Sequence, residues 1–473
     1  MPVAVAAPHP AAVEAARRIA EAGGNAFDAA LAAAGALTVV YPHQCSAGGD
    51  LVAIVRPAGG PARAVLSIGA AAAAVDVAAL RATGDRMPFD GPQTITVPGV
   101  VAGWAAIAEF GRLPLSDLLA PAIGLAKNGV PVSPGLLRAI TGQIDRIRAD
   151  PGLTALLLDD AGEPRTALIQ PVLAETLADW ETFYRGPLAH RLAAGLRALG
   201  NPIDVRDLAA HEAEVTDPLI GVRNGVTWFA APPPVQGATF LAIVGSDDLL
   251  ADALRARAAR DALLGDPRTG PVDLDGLLLR APAPADARPD AGPQPGGDTV
   301  AVTAVDADGN AITLIQSVFE SFGSGRLDPG TGLVLHNRGS SFRLDPDHPG
   351  RLAPGARPPH TLCPAIAVGD DLVLALGCQG GRNQPWILAQ TAAGALAAAD
   401  DELAAVVTRP RWVLDGAGTL LIEPGVEVRT ELPINTSAGP HDGAGHVQVA
   451  RLRGRDLAAA SDPRADGLGT IVG

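Results

Sequence analysis

Apolar positions along the first forty residues predict two consecutive helices. Residues 11–22 are alanine-rich with charged residues interspersed, and the two glycines before Asn25 provide a stop. A second helix starts at about Asn25, has Asp28 near its N-terminus and is almost wholly apolar through residues 29–40. A helix that is apolar on every side has no face for water, so we expect this one to be buried.

The pattern changes at residue 299. Residues 299–305 are rich in β-branched side chains, residues 306–310 (DADGN) are a strong turn signal, and residues 311–317 form a second β-type run. This predicts a hairpin whose first strand starts at a threonine. Further β runs and one apolar helix follow, at 372–376, 420–423, 446–452 and 385–398. The part before 299 is mostly helical, with short β runs at 51–55 and 226–230. The chain is therefore predicted to be α+β, helix-rich first and sheet-rich later.

A change in composition divides the chain between these parts. Thirteen of the 17 positions in 281–297 are Ala, Pro or Gly, and none is a large apolar residue. Such a segment cannot anchor a core, so it is predicted to be an extended tether. The predicted division is 1–280, a tether at 281–298, and 299–473. An ordinary inter-domain linker explains the composition equally well.

Charge and composition exclude several classes of function. Asp and Glu outnumber Lys and Arg by 51 to 36, and aromatic residues make up 3% of the chain, which argues against a nucleic-acid partner. The sequence has no uninterrupted apolar stretch of the kind that spans a membrane. The three cysteines, Cys45, Cys363 and Cys378, are widely spaced and odd in number, which favours reduced thiols and a cytoplasmic location. Nothing in the sequence suggests a metal or an organic cofactor.

The residue at the junction between tether and strand is the candidate nucleophile. A threonine hydroxyl needs an adjoining base, and its own α-amino group, with an ordinary pKa of about 7.7–8.0, can serve. That amine becomes free only if the bond between Asp298 and Thr299 is cut. On the residues alone, a purely structural Thr299 remains the alternative. Nucleophile elbows, phosphate loops, HExxH and strand-linked GxGxxG motifs are missing from the sequence.

A series of collinear motifs resembles one known family over almost the whole chain. The matching segments are 21–30 (EAGGNAFDAA), 48–50 (GGD), 97–99 (VPG), 110–114 (FGRLP), 119–122 (LAPA), 236–237 (QG), 299–310, Ser317, 322–325 (FGSG), 357–358 (RP), Pro364, 380–381 (GG) and 460–464 (ASDPR). Together they resemble the gamma-glutamyltransferase family of N-terminal nucleophile hydrolases.

The resemblance implies an αββα four-layer sandwich made as one precursor. It implies self-cleavage between Asp298 and Thr299, giving a heterodimer of residues 1–298 and 299–473; further dimerisation stays open. Thr299 would then form an acyl-enzyme with a small amide substrate. By the same resemblance, Gly380 and Gly381 would stabilise the oxyanion through their N–H groups, and Ser317 would hydrogen-bond the nucleophile.

The sequence departs from the family at positions that hold the substrate. The segment that carries a carboxylate-binding arginine in the family is Ile-Gly-Ala-Ala-Ala-Ala at 68–73. Serine replaces the amine-binding aspartate within 339–342 (GSSF), Phe319 replaces an asparagine, and His360-Thr361 replaces a serine pair. Without a carboxylate fork and an amine-binding acid, the site is predicted to bind glutamyl groups poorly.

Segments 337–342 (NRGSSF) and 359–362 (PHTL) resemble the subgroup that includes oxamate amidohydrolase. The predicted function is hydrolysis of a small carboxylated amide. The candidate substrate-binding residues are Arg338, Ser340, Ser341, His360, Thr361 and Arg382, although both arginines could equally form structural ion pairs. Three alternatives stay open: a γ-glutamyl hydrolase or transferase, a biosynthetic acyl-cleaving homologue, and an unprocessed binding homologue. The leaving group, the choice between hydrolysis and transfer, and the extent of self-cleavage also stay open.

Overall fold

The computed structural model describes residues 1–223, 225–281 and 298–473. Nearly all of the predicted tether at 281–298 therefore lies outside the described residues. Within the described part, the helices are α1 (Pro10–Glu21), α2 (Ala26–Val40), α3 (Val77–Thr83), α4 (Val100–Ala108), α5 (Leu115–Asn128), α6 (Pro134–Gly142), α7 (Ile144–Arg148), α8 (Pro151–Leu157), α9 (Pro171–Ala178), α10 (Pro187–Ala198), α11 (Val205–Ala209), α12 (Gly237–Ile243), α13 (Leu249–Leu263), α14 (Leu274–Leu277), α15 (Gln384–Ala397) and α16 (Leu403–Thr408).

The strands of the described residues are β1 (Val3–Ala7), β2 (Asp50–Arg56), β3 (Arg63–Ser67), β4 (Val130–Pro131), β5 (Ala167–Leu168), β6 (Glu214–Thr216), β7 (Leu219–Arg223), β8 (Val226–Ala230), β9 (Asp298–Asp306), β10 (Ala311–Phe319), β11 (Arg326–Asp328), β12 (Leu333–Leu335), β13 (Ala365–Val368), β14 (Leu372–Cys378), β15 (Trp412–Leu414), β16 (Leu420–Ile422), β17 (Ile434–Thr436), β18 (Val447–Arg453), β19 (Asp456–Ser461) and β20 (Leu468–Val472).

The two N-terminal helices confirm the prediction from the apolar pattern. The start of α2 is fixed by a capping box, in which the Asn25 side chain accepts from the Phe27 and Asp28 N–H groups and the Asp28 carboxylate accepts from the Asn25 N–H. Every residue of α2 is buried. The helix therefore belongs to the interior, as its lack of a polar face required.

The predicted hairpin is confirmed as β9 and β10, which pair antiparallel over most of their length. It occupies the middle of the first sheet, whose strand order is β20-β1-β9-β10-β2-β3-β6. The pattern analysis did not predict β1, although this short N-terminal run pairs directly with β9. The helix-rich first part of the chain thus supplies four of the five strands that complete this sheet around the hairpin, and the two predicted parts are interleaved in space.

Two sheets stack face to face, and helices cover their outer faces. The second sheet has the order β19-β18-β14-β13-β8-β7. Side chains of both sheets, among them Ile54, Ile315, Ile366 and Ala450, form one buried cluster between the sheets. A second cluster joins the first sheet to α2, α4 and α5, and a third joins the second sheet to α12, α15 and α16.

Alternation along β9 decides which residues face the gap between the sheets. Ala301 and Val305 belong to the cluster between the sheets, whereas Val300 and Val302 belong to the cluster under the helices. Because strand side chains alternate with a period of two, Thr299 lies on the same face as Ala301, toward the second sheet. Within the described residues, no helix is long and apolar enough to span a membrane.

Candidate active site

Thr299 and Ser317 lie at the open end of the β9–β10 hairpin. Strand β9 begins at Asp298 and β10 ends at Phe319, so the two strand ends meet at this edge of the sheet. The hydroxyl oxygens of Thr299 and Ser317 are 2.9 Å apart. Both side chains are buried, each with 1% of its surface exposed. The structure therefore brings the predicted nucleophile and its predicted hydroxyl partner together in a site shielded from water.

The hydrogen bonds of Ser317 determine which hydroxyl donates. Its Oγ donates to the carbonyl oxygen of Asp298 at 2.8 Å and accepts from the Phe319 N–H at 2.8 Å. A hydroxyl has a single hydrogen to donate, so Thr299 must be the donor in its bond to Ser317. Ser317 thus receives the hydrogen of the Thr299 hydroxyl and polarises the carbonyl group that precedes Thr299.

Asp298 lies beside a cavity of about 200 Å³. Its carboxyl group is partly buried and accepts a long hydrogen bond, 3.5 Å, from Gln44 Nε2. Burial, together with the nearby carboxylates of Glu320 and Asp442, raises the pKa of Asp298 well above its ordinary value. Burial and the neighbouring carboxylates therefore favour the neutral form of the side chain that precedes the predicted cleavage site.

Arg338 is the buried cation of the site. It is completely buried, in a 3-10 turn at Arg338–Ser341, and its guanidinium carbon lies 3.8 Å from the centroid of the Phe319 ring. Nη1 donates to Thr361 Oγ1 at 2.9 Å. In the described part of the chain, Nε and Nη2 have no hydrogen-bond partner. Burial lowers the pKa of Arg338 to about 9, an effect that Asp50 opposes and Arg382 reinforces.

Phe319, the residue that departs from the family asparagine, has an unusual backbone. Its φ is +80°, in the left-handed region that non-glycine residues rarely adopt, and it follows an irregularity in the β9–β10 register. Strand β10 ends at this residue, and the phenyl ring packs against the Arg338 guanidinium. The substitution therefore supplies an aromatic face for a cation.

Other predicted substrate-binding residues surround a second, smaller cavity of about 30 Å³. Ser341, His360, Thr361 and Arg382 are among its lining residues, whereas Ser340 is not. The Ser341 hydroxyl is within 2.8 Å of two backbone carbonyls, those of Arg338 and Pro359. Ser341 thereby ties the Arg338 turn to the segment that carries His360 and Thr361.

Gly380 and Gly381 form the turn that follows β14. Both have positive φ angles, +142° and +53°. A Cβ on Gly380 would lie 2.5 Å from Ile387 Cδ1, so a side chain there would force a rearrangement. The side-chain amide of Gln236 donates to the Gly381 carbonyl at 3.0 Å and also to the Thr361 carbonyl. The glycine turn therefore adjoins the segment that contacts Arg338, and its N–H groups stay predicted oxyanion donors.

Asp50 and His336 are two buried polar residues of this region to which the sequence analysis assigned no role. Neither side chain is exposed, and His336 Nδ1 lies 3.5 Å from Asp50 Oδ2. His360 Nε2 lies 3.2 Å from the same oxygen. Burial, reinforced by the charge of Arg338, lowers the pKa of His360 to about 3, so this ring is neutral. One feature of the sequence could have indicated the role of Asp50. This acidic residue directly precedes the apolar run 51–55, and a charge at the end of a buried strand needs a partner.

Comparisons with known proteins find relatives that cover most of the chain. A family model described as gamma-glutamyltranspeptidase matches residues 12–472. The chain is 41% identical over 453 residues to the oxamate amidohydrolase proenzyme of Klebsiella pneumoniae, covering 86% of this chain and 84% of that protein. It is 35% identical to the glutathione hydrolase-like YwrD proenzyme of Bacillus subtilis, covering 80% and 79%. The crystal structure of cephalosporin acylase from Bacillus halodurans has a TM-score of 0.85 at 29% identity and covers 99% of this chain and 95% of its own.

Proposed function

Since the chain belongs to the gamma-glutamyltranspeptidase family and is an amidohydrolase proenzyme of the N-terminal nucleophile class, we propose that it cleaves itself before Thr299 and then hydrolyses a small carboxylated amide. The proposed products of self-cleavage are a large subunit, residues 1–298, and a small subunit, residues 299–473. The layer order helix, sheet, sheet, helix supports the αββα sandwich expected for this class.

One observation carries the proposal. The Thr299 hydroxyl donates to Ser317, and the Ser317 hydroxyl donates to the carbonyl of Asp298. A single serine therefore contacts both groups that must react, the attacking oxygen and the oxygen of the bond to be cut. A structural threonine at the start of a strand would not require this arrangement.

Self-cleavage follows from that arrangement as an acyl shift. Thr299 Oγ attacks the carbonyl carbon of Asp298, and its proton passes by way of Ser317 to the amide nitrogen of Thr299. The C–N bond breaks, which leaves residue 298 esterified to Thr299 Oγ and frees the α-amino group. Water then hydrolyses the ester, giving a carboxylate at Asp298 and restoring the Thr299 hydroxyl.

The freed amine acts as the base in the mature enzyme. With an ordinary pKa of about 7.7–8.0, it can take the Thr299 hydroxyl proton at neutral pH while Oγ attacks the substrate carbonyl. Gly380 and Gly381 donate their N–H groups to the oxyanion, and each such donor is typically worth about 10²–10³ in rate. The amine proton passes to the departing nitrogen, and water resolves the acyl-enzyme.

The substrate carboxylate binds Arg338. A carboxylate would satisfy the Nε and Nη2 groups that lack a partner among the described residues, and charge-assisted bonds of this kind favour a planar fork. Thr361 and Arg382 also line the cavity of about 30 Å³ that lies beside the Arg338 turn. The chain is more similar to the oxamate amidohydrolase proenzyme (41% identical) than to the glutathione hydrolase-like YwrD proenzyme (35% identical), which supports the same substrate class.

Two measurements test the proposal. A denaturing gel of wild-type protein is expected to show two bands, whereas Thr299→Ala is expected to show one full-length band and no turnover. Thr299→Ser keeps a hydroxyl and is expected to restore both. An active wild-type protein with an unbroken chain would contradict self-cleavage.

The second measurement is a substrate screen of processed enzyme. Short amides with a carboxylate next to the scissile carbonyl, such as oxamate, are expected to be hydrolysed with a higher kcat/KM than uncharged amides of equal length. A γ-glutamyl anilide serves as the competing substrate. Preference for the γ-glutamyl compound would replace the proposed substrate class with that of the glutathione-acting members.

A further inference from the structure

Asp50 is a buried carboxylate that the proposed reaction steps do not use. It is the first residue of β2, and the strand register places it directly opposite Ser317 of β10. Directly opposed residues of antiparallel strands point to the same face, with Cβ atoms about 4.5–5.5 Å apart. The Asp50 carboxylate therefore lies on the same side of the sheet as Ser317 and Thr299, facing the second sheet.

Asp50 connects the first sheet to the segment that leads into β13 of the second. His360 Nδ1 accepts from the Leu362 N–H at 3.4 Å, so the hydrogen of this neutral ring is on Nε2, which donates to Asp50 at 3.2 Å. Both nitrogens of His360 are therefore engaged within the protein. The ring anchors its own segment to Asp50, and it has no free N–H to offer a substrate.

The anchored segment holds Arg338. Thr361 stands between His360 and Leu362, and its Oγ1 accepts from Arg338 Nη1 at 2.9 Å. A shift of this segment would move the one hydrogen-bond acceptor that the described residues give to the guanidinium side chain. The direction of the two unpartnered N–H groups of Arg338 therefore depends on the contact between Asp50 and His360.

Asp50 also acts on Arg338 through its charge. Burial lowers the pKa of Arg338, and the Asp50 carboxylate works against that loss although the two side chains do not touch. The remaining contacts of Asp50 are the Gly69 N–H, 3.0 Å from Oδ1, and His336 Nδ1, 3.5 Å from Oδ2. These contacts favour the ionised form of Asp50.

We propose that Asp50 is a positioning residue that determines specificity: through His360 and Thr361 it aims the Arg338 guanidinium at the substrate carboxylate, and its negative charge stabilises this buried cation. This inference rests on the proposed role of Arg338. It predicts that loss of Asp50 impairs only those substrates that carry the carboxylate.

The test compares Asp50→Asn with wild type on matched amides, one carboxylated and one uncharged, with rates normalised to the amount of processed small subunit. The kcat/KM for the carboxylated amide is expected to fall about tenfold or more, while that for the uncharged amide changes less than about twofold. In an Arg338→Met background, Asp50→Asn is expected to have no further effect on either substrate, because coupled residues are non-additive.

Two further variants keep the test decisive if Asp50→Asn does not fold or process. Thr361→Val removes the oxygen that accepts from Arg338 at nearly constant volume, and it is expected to lower kcat/KM for the carboxylated amide more than kcat/KM for the uncharged amide. Asp306→Asn is the matched control, since Asp306 is a buried carboxylate at the opposite end of β9. It is expected to lower the melting temperature without changing the ratio of the two kcat/KM values.

The outcomes separate the two proposals. If wild type does not prefer the carboxylated amide, or if Arg338→Met leaves that preference intact, the proposed function of Arg338 is wrong. A different result overturns only the inference about Asp50. In that case Arg338→Met abolishes the preference for the carboxylated amide, but Asp50→Asn or Thr361→Val lowers kcat/KM equally for both amides. The role of Arg338 then stands.

Discussion

The surroundings of Ser317 and those of Arg338 differ in how completely their polar groups are hydrogen-bonded. On one side, the Ser317 oxygen donates once and accepts twice, so its capacity is used in full. On the other side, Arg338 is fully buried, yet two of its nitrogens lack a partner in the described part of the chain. Buried polar groups are normally satisfied, because an unmade hydrogen bond costs about 1–3 kcal/mol and more for a charged group.

This contrast indicates which of the two regions is complete before substrate binds. The Ser317 side is already arranged for a reaction on the protein's own backbone, whose carbonyl is in place. The Arg338 side carries a desolvation cost that an external anion would offset. We therefore assign self-cleavage to the first side and substrate choice to the second.

The largest effect is expected from Ser317→Ala. This change removes the acceptor for the Thr299 hydroxyl and the donor to the Asp298 carbonyl, so self-cleavage is expected to slow by about 10²–10³, the range for loss of one oxyanion donor. A time course of precursor conversion on denaturing gels measures it. Ser317→Thr preserves the hydroxyl and is the control; a conversion rate unchanged by Ser317→Ala would remove the basis for the assignment.

Arg338→Met is expected to affect turnover of the carboxylated amide and to leave self-cleavage unchanged. Loss of one partner of a buried charge pair typically costs about 2–5 kcal/mol, so kcat/KM for the carboxylated amide is expected to fall thirtyfold or more. Self-cleavage should proceed as in wild type. Since an uncompensated buried cation is destabilising, the free enzyme is expected to melt at a higher temperature than wild type. A lower melting temperature together with slowed processing would show that Arg338 supports the fold instead.

The pH dependence of kcat/KM is expected to differ between the carboxylated and the uncharged amide. Burial lowers the pKa of Arg338 to about 9, and we expect the charge of the guanidinium to weaken as the pH rises through that value. The kcat/KM for the carboxylated amide is expected to decline above about pH 9, by up to tenfold per pH unit. The ratio of carboxylated to uncharged amide isolates this effect from changes at the nucleophile. A ratio that stays constant up to pH 10.5 would contradict the assignment.

The same lowered pKa has a consequence for stability. The charged form of Arg338 is disfavoured in the folded state, which reduces the free energy of unfolding wherever the unfolded chain keeps Arg338 protonated. That penalty is present in full below about pH 9 and diminishes as the pH rises toward the ordinary arginine value. The stability gain of Arg338→Met over wild type is therefore expected to shrink in alkaline buffer, as chemical denaturation at pH 7 and pH 10 would measure.

The smallest effect is expected from Phe319→Leu. A buried cation–π contact is worth about 0.5–2 kcal/mol, so KM for the carboxylated amide is expected to rise by about two- to thirtyfold with little change in self-cleavage. Phe27→Leu, a buried phenylalanine of α2, is the control for general loss of packing. A KM equal to that of wild type would mean that the ring only fills space.

Much of the fold followed from local patterns. The runs 29–40 and 299–317 predicted α2 and the central hairpin because a fully apolar helix and a pair of β-branched runs around a turn each permit one structure. Strand β1 was missed because five apolar residues near a terminus do not distinguish a strand from a helix or a loop.

Sequence analysis predicted those residues of the candidate site that a motif identifies, and it missed those whose role depends on distant partners. Thr299 and Ser317 were predicted as a pair by resemblance, and the structure places them in contact. Asp50 and His336 were not assigned, because their importance comes from partners about 290 to 310 residues away along the chain. Ser341 was predicted to contact substrate, but its hydroxyl lies 2.8 Å from two backbone carbonyls, so its one hydrogen is engaged within the protein; its role toward substrate stays a prediction.

The sequence by itself determined the local structure, the family and the residue that can become an N-terminal nucleophile, because these depend on neighbouring residues and on motifs spaced along the chain. Only the tertiary structure decided that Arg338 is a cation stacked on Phe319 with two N–H groups unpartnered in the described chain, and that Asp50 holds the segment beside it. The physical reason is that burial and hydrogen-bond satisfaction belong to the packed sheets, and no single segment contains them.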